Sequence, residues 1–480
     1  MLSCSQVKSA ATAEFETATL SEAAQGALRQ HDYRQTVTLI DQALALGVRA
    51  ARPSLHKQRL FAIDRGGLGD VETREKEALL ATSSPSDAID LRLALGRIAL
   101  RRGDFATALR LGSTMKSLLA PNDKARRAQA LRLEATAKWS QGSAHDSIAL
   151  HGAAAGLCRE AGDLVGEALA VNDRGLVRGY IGDFVSALGD HEAAQAILAR
   201  APDSEARTEA TAQVANDLGF ALWNVARHAE ALASLTTALT LRTALHDVYG
   251  QGITHNNLGN VHRSCGRIDQ ARVAYDAALR LCRDSGNALY EAIALNNLGQ
   301  LAIDAGDVAW AEARLKEALA LTQRIGDRIR EADNLGNLGS VYLRAKDYPR
   351  AVESLSRAVD MRRQLRDLAY LVSDLSALAV ALAEVGDELT ARDALAEVET
   401  AIDAGQQGIE QVQTVHLHVF EAYTRLRNPE PAMAALRRAV ASVHQQADAL
   451  EDPAMRHAFL NNLAVNRAIL GLAEQHGLSR

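Results

Sequence analysis

The sequence predicts an all-α solenoid of about eleven helical hairpins, closed by a C-terminal capping helix. Three observations predict this fold. A four-residue phrase, most often Asn-Asn-Leu-Gly, returns every 40 residues and ends at Gly219, Gly259, Gly299 and Gly339. Small residues recur at fixed distances behind each of these glycines. Ala and Leu carry the apolar surface, while aromatic residues make up only 4% of the chain and prolines number 8, which favours long helices.

Each regular unit follows one grid counted from the glycine that ends the phrase, which we call the anchor. A turn residue follows after seven positions and two alanines follow after 12 and 19, as at Gly266, Ala271 and Ala278 behind Gly259. Gly and Ala at the crossing points let two antiparallel helices approach closely. The turn residue, often Gly before Asp, ends one helix and caps the next. The grid therefore predicts one helical hairpin for each unit.

The grid divides the chain into four regions. Residues 1–20 form an N-terminal lead-in, for which disorder is one alternative. Residues 21–167 hold degenerate units, with anchors near Ala24, Ala62, Gly96 and Ala135. Residues 168–449 hold the regular units, and residues 450–480 form the capping helix and tail. We expect the cap to span residues 453–475, because Asp452 is a good N-cap and Pro453 suits a first turn.

Composition narrows the environment in which the protein works. The net charge of -6 is small for 480 residues and no block of like charge stands out, which argues against a nucleic-acid partner. The four cysteines form no Cys-x-x-Cys pair and no cluster with metal-ligand spacing, as expected for a reducing compartment. No apolar run is long enough to span a bilayer, and the N-terminus lacks the regions of a signal peptide. We therefore expect a cytoplasmic protein without metal, cofactor or membrane insertion; self-association stays open.

Motifs that carry catalysis are missing from the sequence. It contains neither Gly-x-Ser-x-Gly nor His-Glu-x-x-His. His416 and His418 lie two residues apart and so point to different sides of a helix, whereas a metal pair needs a spacing of four. No acid, base and nucleophile cluster together. The sequence therefore predicts that the protein is not an enzyme.

The phrase, the turn and the two alanines together resemble the tetratricopeptide repeat, over about residues 21–449. The 40-residue period resembles the long-helix subtype found in Leu-Gly-Asn repeat adaptors, in kinesin light chains and in the sensor regions of bacterial regulators. Gly326-Asp327-Arg328 is similar to the Gly-Asp-Arg that closes repeats in the adaptor group. The resemblance implies a right-handed superhelix in which the first helix of each hairpin lines a concave groove.

Candidate binding residues follow from the helical grid. Residues three before, one after and four after the anchor share a helix face, and the resemblance implies that this face points into the groove. Four units place Asn at the first of these positions, in what we call the first-Asn row: Asn172, Asn216, Asn256 and Asn296. Side-chain amides both donate and accept, so this ladder is expected to pair with the backbone of a partner. The other candidate groove residues are Phe220, Trp223, Asn260, Arg263, Gln300 and Arg344.

Two interpretations of the first-Asn row remain open at this stage. The row binds a protein or peptide segment, or it bonds only to the adjacent repeat or to water. The second Asn of the phrase is expected to serve packing. The sequence thus favours a scaffold or adaptor that holds a partner segment in the groove. The alternative function is a sensor region of a bacterial regulator that binds a signalling peptide or small ligand and changes the shape of the superhelix.

Overall fold

The computed structural model describes residues 4–29, 33–46, 55, 58–59, 85–101, 104–285, 287–365, 367–404, 412–450 and 452–478. These residues form 22 α-helices and no strands. The first eleven are α1 Cys4–Arg29, α2 Tyr33–Ala45, α3 Pro85–Arg101, α4 Phe105–Leu118, α5 Lys124–Ser140, α6 Ala144–Ala161, α7 Leu164–Tyr180, α8 Phe184–Ala199, α9 Glu205–Asn224, α10 His228–Ala244 and α11 Val248–Ser264. The others are α12 Ile268–Ser285, α13 Ala288–Ala305, α14 Val308–Ile325, α15 Arg328–Arg344, α16 Tyr348–Leu365, α17 Leu368–Val385, α18 Glu388–Asp403, α19 Val412–Arg425, α20 Pro429–Asp448, α21 Pro453–Asn462 and α22 Ala464–Gln475.

Consecutive helices pair as hairpins from α1–α2 to α19–α20, and the fold is an all-α repeat solenoid, as predicted. The chain divides into two compact units. Unit 1 comprises Met1–Ala221, Ala233–Thr254 and Leu281–Asn287. Unit 2 comprises Leu222–Leu232, His255–Arg280 and Ala288–Arg480. Apolar clusters fill the hairpins of each unit, around Leu111 and Ala154 in unit 1 and around Leu298 and Leu355 in unit 2.

The small residues of the grid stand where the helices cross. A Cβ atom built at Gly299 would lie 2.5 Å from Cγ of Leu315, and one at Gly339 would lie 2.3 Å from Cγ of Leu355. The alanines behind the anchors are fully buried, as at Ala311. A larger residue at Gly299 or Gly339 would therefore push the two helices of that hairpin apart, which confirms the packing role predicted for these glycines.

The Gly-Asp turns also behave as predicted. Gly306 has φ +84° and Gly326 has φ +73°, in the left-handed region that glycine adopts without strain. The aspartates that follow accept the capping hydrogen bond: Asp307 Oδ1 from Trp310 N at 3.0 Å, and Asp327 Oδ1 from Arg330 N at 3.0 Å. Each turn thus ends one helix and fixes the start of the next.

The two ends of the chain differ from expectation. Residues 4–29, which include most of the predicted lead-in, form one helix, α1, that continues into the first degenerate unit. The degenerate unit near Ala62 lies outside the described residues. The expected single cap is two helices, α21 and α22, which meet at Leu463 in an extended conformation with ψ 122°. None of the helices in the described part of the chain is long and apolar enough to cross a membrane.

Candidate functional site

The first helices of the hairpins lie on the inner side of the curve within each unit. In unit 2, α13, α15, α17 and α19 contact one another in sequence more extensively than the second helices of the same hairpins do. In unit 1, α5 and α7 show the same closeness. Shorter distances between first helices than between second helices require the stack to curve toward the first helices. Four of the candidates lie on these helices: Asn172, Asn296, Gln300 and Arg344. The others lie on α9 and α11, which are the first helices of their hairpins.

In unit 2, the first-Asn row is buried between successive inner helices. Asn296 is 8% exposed; its Nδ2 donates to Asn334 Oδ1 at 2.8 Å, and its Oδ1 accepts from Asn337 Nδ2 at 3.3 Å. Asn256 is equally enclosed and accepts from Asn297 Nδ2 at 2.8 Å. The donor lies 41 residues further along the chain in both cases, one repeat plus one position. The row therefore joins each repeat to the next.

In unit 1, Asn172 occupies the same kind of interface. It is fully buried, its Nδ2 donates to Asp217 Oδ2 at 2.7 Å, and its Oδ1 accepts from His191 Nδ1 at 2.8 Å. Burial lowers the pKa of His191, because a charged imidazole loses its hydration there. Asn216 donates to Asp217 Oδ1 at 3.0 Å and accepts from Thr254 Oγ1 at 3.2 Å. Internal partners thus hold both the nitrogen and the oxygen of the Asn172 amide.

These contacts correct the orientation expected for the row. The first Asn of the phrase does not line the open surface, because its side chain lies between two packed inner helices. The second Asn, expected to serve packing, is the more exposed of the two: Asn257, Asn297 and Asn337 are half-buried, and we call them the second-Asn row. Asn297 and Asn337 nevertheless serve packing as expected, because their amide nitrogens donate to the preceding repeat. That the first-Asn row binds a partner directly stays a prediction.

The first-Asn row ends at Gly336, and the structure shows why. A Cβ atom at Gly336 would lie 2.3 Å from Oδ1 of Asp374, so the carboxylate fills the space where an Asn side chain would stand. Asp374 pairs with the buried Arg362, whose Nε donates to Asp374 Oδ2 at 3.3 Å. Arg362 also pairs with Asp333 at 2.6 Å and Asp367 at 2.8 Å. Burial raises the pKa of Asp374 to about 7, against the pull of Arg362.

The second-Asn row carries acceptors on the inner surface of unit 2. Asn297 Nδ2 donates to Asn256 Oδ1 and, at 3.3 Å, to Asn260 Oδ1, while Asn337 Nδ2 donates to Asn296. The carbonyl oxygens of Asn297 and Asn337 accept no hydrogen bond from the described residues. The ladder uses both N–H donors of Asn297 and one of Asn337, so the carbonyl oxygen of each side chain is open to a donor from a ligand.

The two aromatic candidates take different positions. In unit 1, Phe220 packs on Tyr180, with ring centroids 5.6 Å apart, and Tyr180 stacks on Trp139 at the same distance. In unit 2, Trp223 is half-buried and donates from Nε1 to Ser264 Oγ at 2.7 Å. Both rings contribute to packing, and both keep part of their surface accessible.

The charged and polar candidates of unit 2 also differ in position: some pair with other repeats, and one is exposed. Arg263 Nε donates to Asp304 Oδ2 at 2.6 Å, and its guanidinium also donates to Gln300 Oε1, so this arginine is a link between repeats. Asn260 accepts from Tyr275 Oη at 2.8 Å. Arg344 is exposed, and its charge works with burial to lower the pKa of His418 to about 4. Of these four candidates, Arg344 is the most accessible to an anionic group of a partner.

The described residues contain no group of three or more His, Cys, Asp or Glu side chains arranged to hold a metal ion. His416 and His418 lie on α19 as predicted, and burial lowers the pKa of each to about 4, which disfavours their charged forms.

The helical grid missed Asn334 and Asp374, which stand five residues before their anchors. The sequence signals them only by a change of residue type at the position five before the anchor. That position is Thr254 and Ala294 in two successive units, and Asn334 and Asp374 in the next two.

Comparison with known proteins agrees with the repeat fold. The tetratricopeptide-repeat family model matches residues 208–284, 250–324 and 290–364. No curated protein matches the sequence. A solved structure of similar fold is a Rap protein complexed with competence and sporulation factor, at TM-score 0.56 and 15% identity, covering 76% of this chain and 100% of that chain. Another is the Rap conjugation gene regulator of the plasmid pLS20 in complex with the Phr* peptide, at TM-score 0.50 and 15% identity, covering 77% and 99%.

Proposed function

We propose, from the premise that residues 208–364 are tetratricopeptide repeats, that the protein is a binding scaffold whose inner face in unit 2 holds an extended segment of a partner protein. The observation that carries the proposal is the second-Asn row. Asn257, Asn297 and Asn337 recur every 40 residues on three successive inner helices and stay half-exposed. The buried first-Asn row beneath them fixes two of the three amides in one orientation.

The spacing of this row suits an extended backbone. Neighbouring packed helices lie about 8–10 Å apart. An extended peptide advances roughly 3.3 Å per residue, so every third residue would come opposite one Asn. The side-chain oxygens of Asn297 and Asn337 would then each accept from a backbone N–H, and each bond would contribute about 0.5–1.5 kcal/mol net. Since ordering the peptide offsets much of this sum, a short segment is expected to bind at about micromolar strength.

The charge of the face adds a preference for the ligand. Arg344 is exposed at the end of α15, about two turns beyond Asn337. A carboxylate on the partner segment would meet it, whereas Arg263 is already neutralised by Asp304 at 2.6 Å. The proposal therefore favours an extended segment with an acidic side chain toward the Arg344 end of the face.

A selection experiment tests the proposal. Random peptides displayed on phage would be selected on the full chain, and the affinities of the recovered peptides measured by fluorescence anisotropy. We expect Asn337→Ala to weaken binding about tenfold, equivalent to about 1.4 kcal/mol. Gln323→Ala is the matched control, because it removes an exposed amide from the second helix α14 and should leave affinity unchanged. Peptides that bind both variants as they bind the original chain would refute the proposed site.

A signalling peptide as ligand is the second candidate function. The two proteins of similar fold are described in complex with a factor and with a peptide, and we extend a peptide ligand to this chain only as a proposal. An adaptor need not change shape on binding, whereas a sensor must. Small-angle scattering of the full chain with and without a selected peptide separates the two, since a change in the radius of gyration favours the sensor.

A further inference from the structure

The last two helices of the chain return to a hairpin far upstream in unit 2. Sδ of Met455 lies 3.6 Å from Sγ of Cys265, 190 residues earlier. Nδ2 of Asn462 donates to the carbonyl oxygen of Gly266 at 2.9 Å. An ion pair joins Arg267 to Asp452 at 3.2 Å. A terminal cap needs only the preceding hairpin, so these contacts exceed what capping requires.

The fit at Gly266 is close enough to depend on the absence of a side chain. A Cβ atom there would lie 2.4 Å from the carbonyl oxygen of Ala458. Gly266 has φ +67°, the same left-handed turn conformation as Gly306 in the next hairpin. Nothing lies within 4 Å of a Cβ atom built at Gly306. The turn at Gly266 is thus a docking point for α21, and the equivalent turn at Gly306 is not.

Helix α22 lies against the inner side of unit 2. It contacts the inner helices α13 and α19 as well as α20. Its buried residues Val465 and Ile469 belong to one apolar cluster with Val380 and Ala383, which the grid places on the groove face of α17. Val380 is only 7% exposed and Ala383 4%. Through its contacts with α13 and α19, the C-terminal helix of the chain therefore occupies part of the inner side of unit 2.

The segment carries the pattern of a helix that binds in a groove. Its buried apolar residues repeat at a spacing of four on one side of each helix: Met455 and Phe459 on α21, and Val465, Ile469 and Ala473 on α22. Such a stripe faces one surface and leaves the other side polar. Exposed His457, Asn461 and Arg467 stand on that other side.

We infer that the inner face of unit 2 is also a binding surface for an amphipathic helix, and that residues 453–475 are its resident occupant. A partner helix with the same apolar spacing gains this surface by displacing the segment. The inference rests on the proposed function in one respect, that the inner side of unit 2 is a binding face. Because the tether keeps the segment at a high effective concentration, the partner must outcompete an intramolecular ligand.

Opening the segment from its own side tests the inference. Met455→Asp places a carboxylate against Cys265, whereas Ala454→Asp places the same residue on the exposed side of α21 and is the control. In the full chain, we expect Met455→Asp to raise the rate of thiol labelling at Cys265 at least about tenfold, since burial both shields this thiol and raises its pKa to about 11. Peptide mapping assigns the label. Equal rates in the two variants would overturn the inference.

Binding in trans tests the surface itself. A labelled peptide of residues 452–478 is expected to bind the Met455→Asp chain and to show at least about tenfold weaker binding to the unchanged chain, whose own segment occupies the surface. Adding Gly266→Ala to Met455→Asp should abolish binding, because the new methyl group blocks Ala458 of the peptide. Adding Gly306→Ala instead imposes the same turn strain and should preserve binding. Equal affinity of these two double variants, or of the Met455→Asp and unchanged chains, would contradict the inference.

A crosslink covers the case in which Met455→Asp fails to fold. Met455→Cys places a second thiol near Cys265 without introducing a charge, and mild oxidation should join the two. The oxidised chain should exclude the labelled peptide, and failure to crosslink would count against the contact. Since the probe is the chain's own segment, these results stay independent of whether Asn337 binds an extended peptide.

Discussion

Asn296→Ala tests whether the buried hydrogen bonds of the first-Asn row stabilise the stacking of one repeat on the next. The substitution removes the donor to Asn334 Oδ1 at 2.8 Å and the acceptor for Asn337 Nδ2 at 3.3 Å. Asn334 is only 1% exposed, so its orphaned oxygen costs about 1–3 kcal/mol, and the half-exposed Asn337 regains water at a loss of about 0.5–1.5 kcal/mol. Together these two losses should lower the free energy of unfolding by about 1.5–4.5 kcal/mol.

The assay needs a reporter close to the substitution, because solenoids often unfold in parts. Trp310 begins α14 in the same hairpin, with the Arg272 guanidinium 5.0 Å from its ring centre. Replacing Trp139 and Trp223 by Phe leaves Trp310 as the only tryptophan, and its fluorescence during urea denaturation then reports on this hairpin.

The control lies one turn further along the same helix. Gln300 is half-exposed and pairs with the Arg263 guanidinium, so Gln300→Ala should cost less than about 1 kcal/mol. If Asn296→Ala costs no more than Gln300→Ala, the ladder does not stabilise the stacking of repeats. The first-Asn row would then have to be explained by a ligand after all.

Three further predictions concern other sites. Gly336→Ala should lower the free energy of unfolding by about 2 kcal/mol or more, because its methyl group clashes with Asp374. In a double-mutant cycle, Asp374→Ala should reduce the cost of Gly336→Ala by more than about 1 kcal/mol. If the effects of the two substitutions simply add, the clash is refuted. Ala311→Leu should cost about 1–3 kcal/mol by overpacking, whereas the exposed neighbour in Ala309→Leu should cost almost nothing, as thermal unfolding can show. Burial lowers the pKa of His151 from 6.5 to about 4. Between these two pH values His151 is protonated in the unfolded chain and neutral in the folded chain, so the free energy of unfolding falls as the pH drops from 6.5 to 4. His151→Gln should remove about 3 kcal/mol of that acid-induced loss in unfolding experiments at pH 7 and pH 4, and an unchanged pH slope would contradict it.

Local sequence determined the hairpins. The anchor glycines, the alanines behind them and the Gly-Asp turns each act within about 20 residues, so their spacing alone specifies where two helices cross and where a helix ends. Gly299 against Leu315 and Asp307 at the start of α14 are the positions that the grid predicts. The same grid reached the correct inner helices, and with them the surface on which a partner is proposed to lie.

Only the tertiary structure decided which Asn faces outward. Adjacent residues on a helix differ by about 100° in direction, so the sequence places Asn296 and Asn297 on neighbouring faces without saying which face meets the next repeat. That choice depends on how far each inner helix is rotated against its neighbour. The contact of Met455 with Cys265 likewise spans 190 residues, and no local pattern encodes it. The repeat therefore specifies its own fold, while the curvature that stacks the repeats decides which side chains are buried, which stay open and where the chain's end returns.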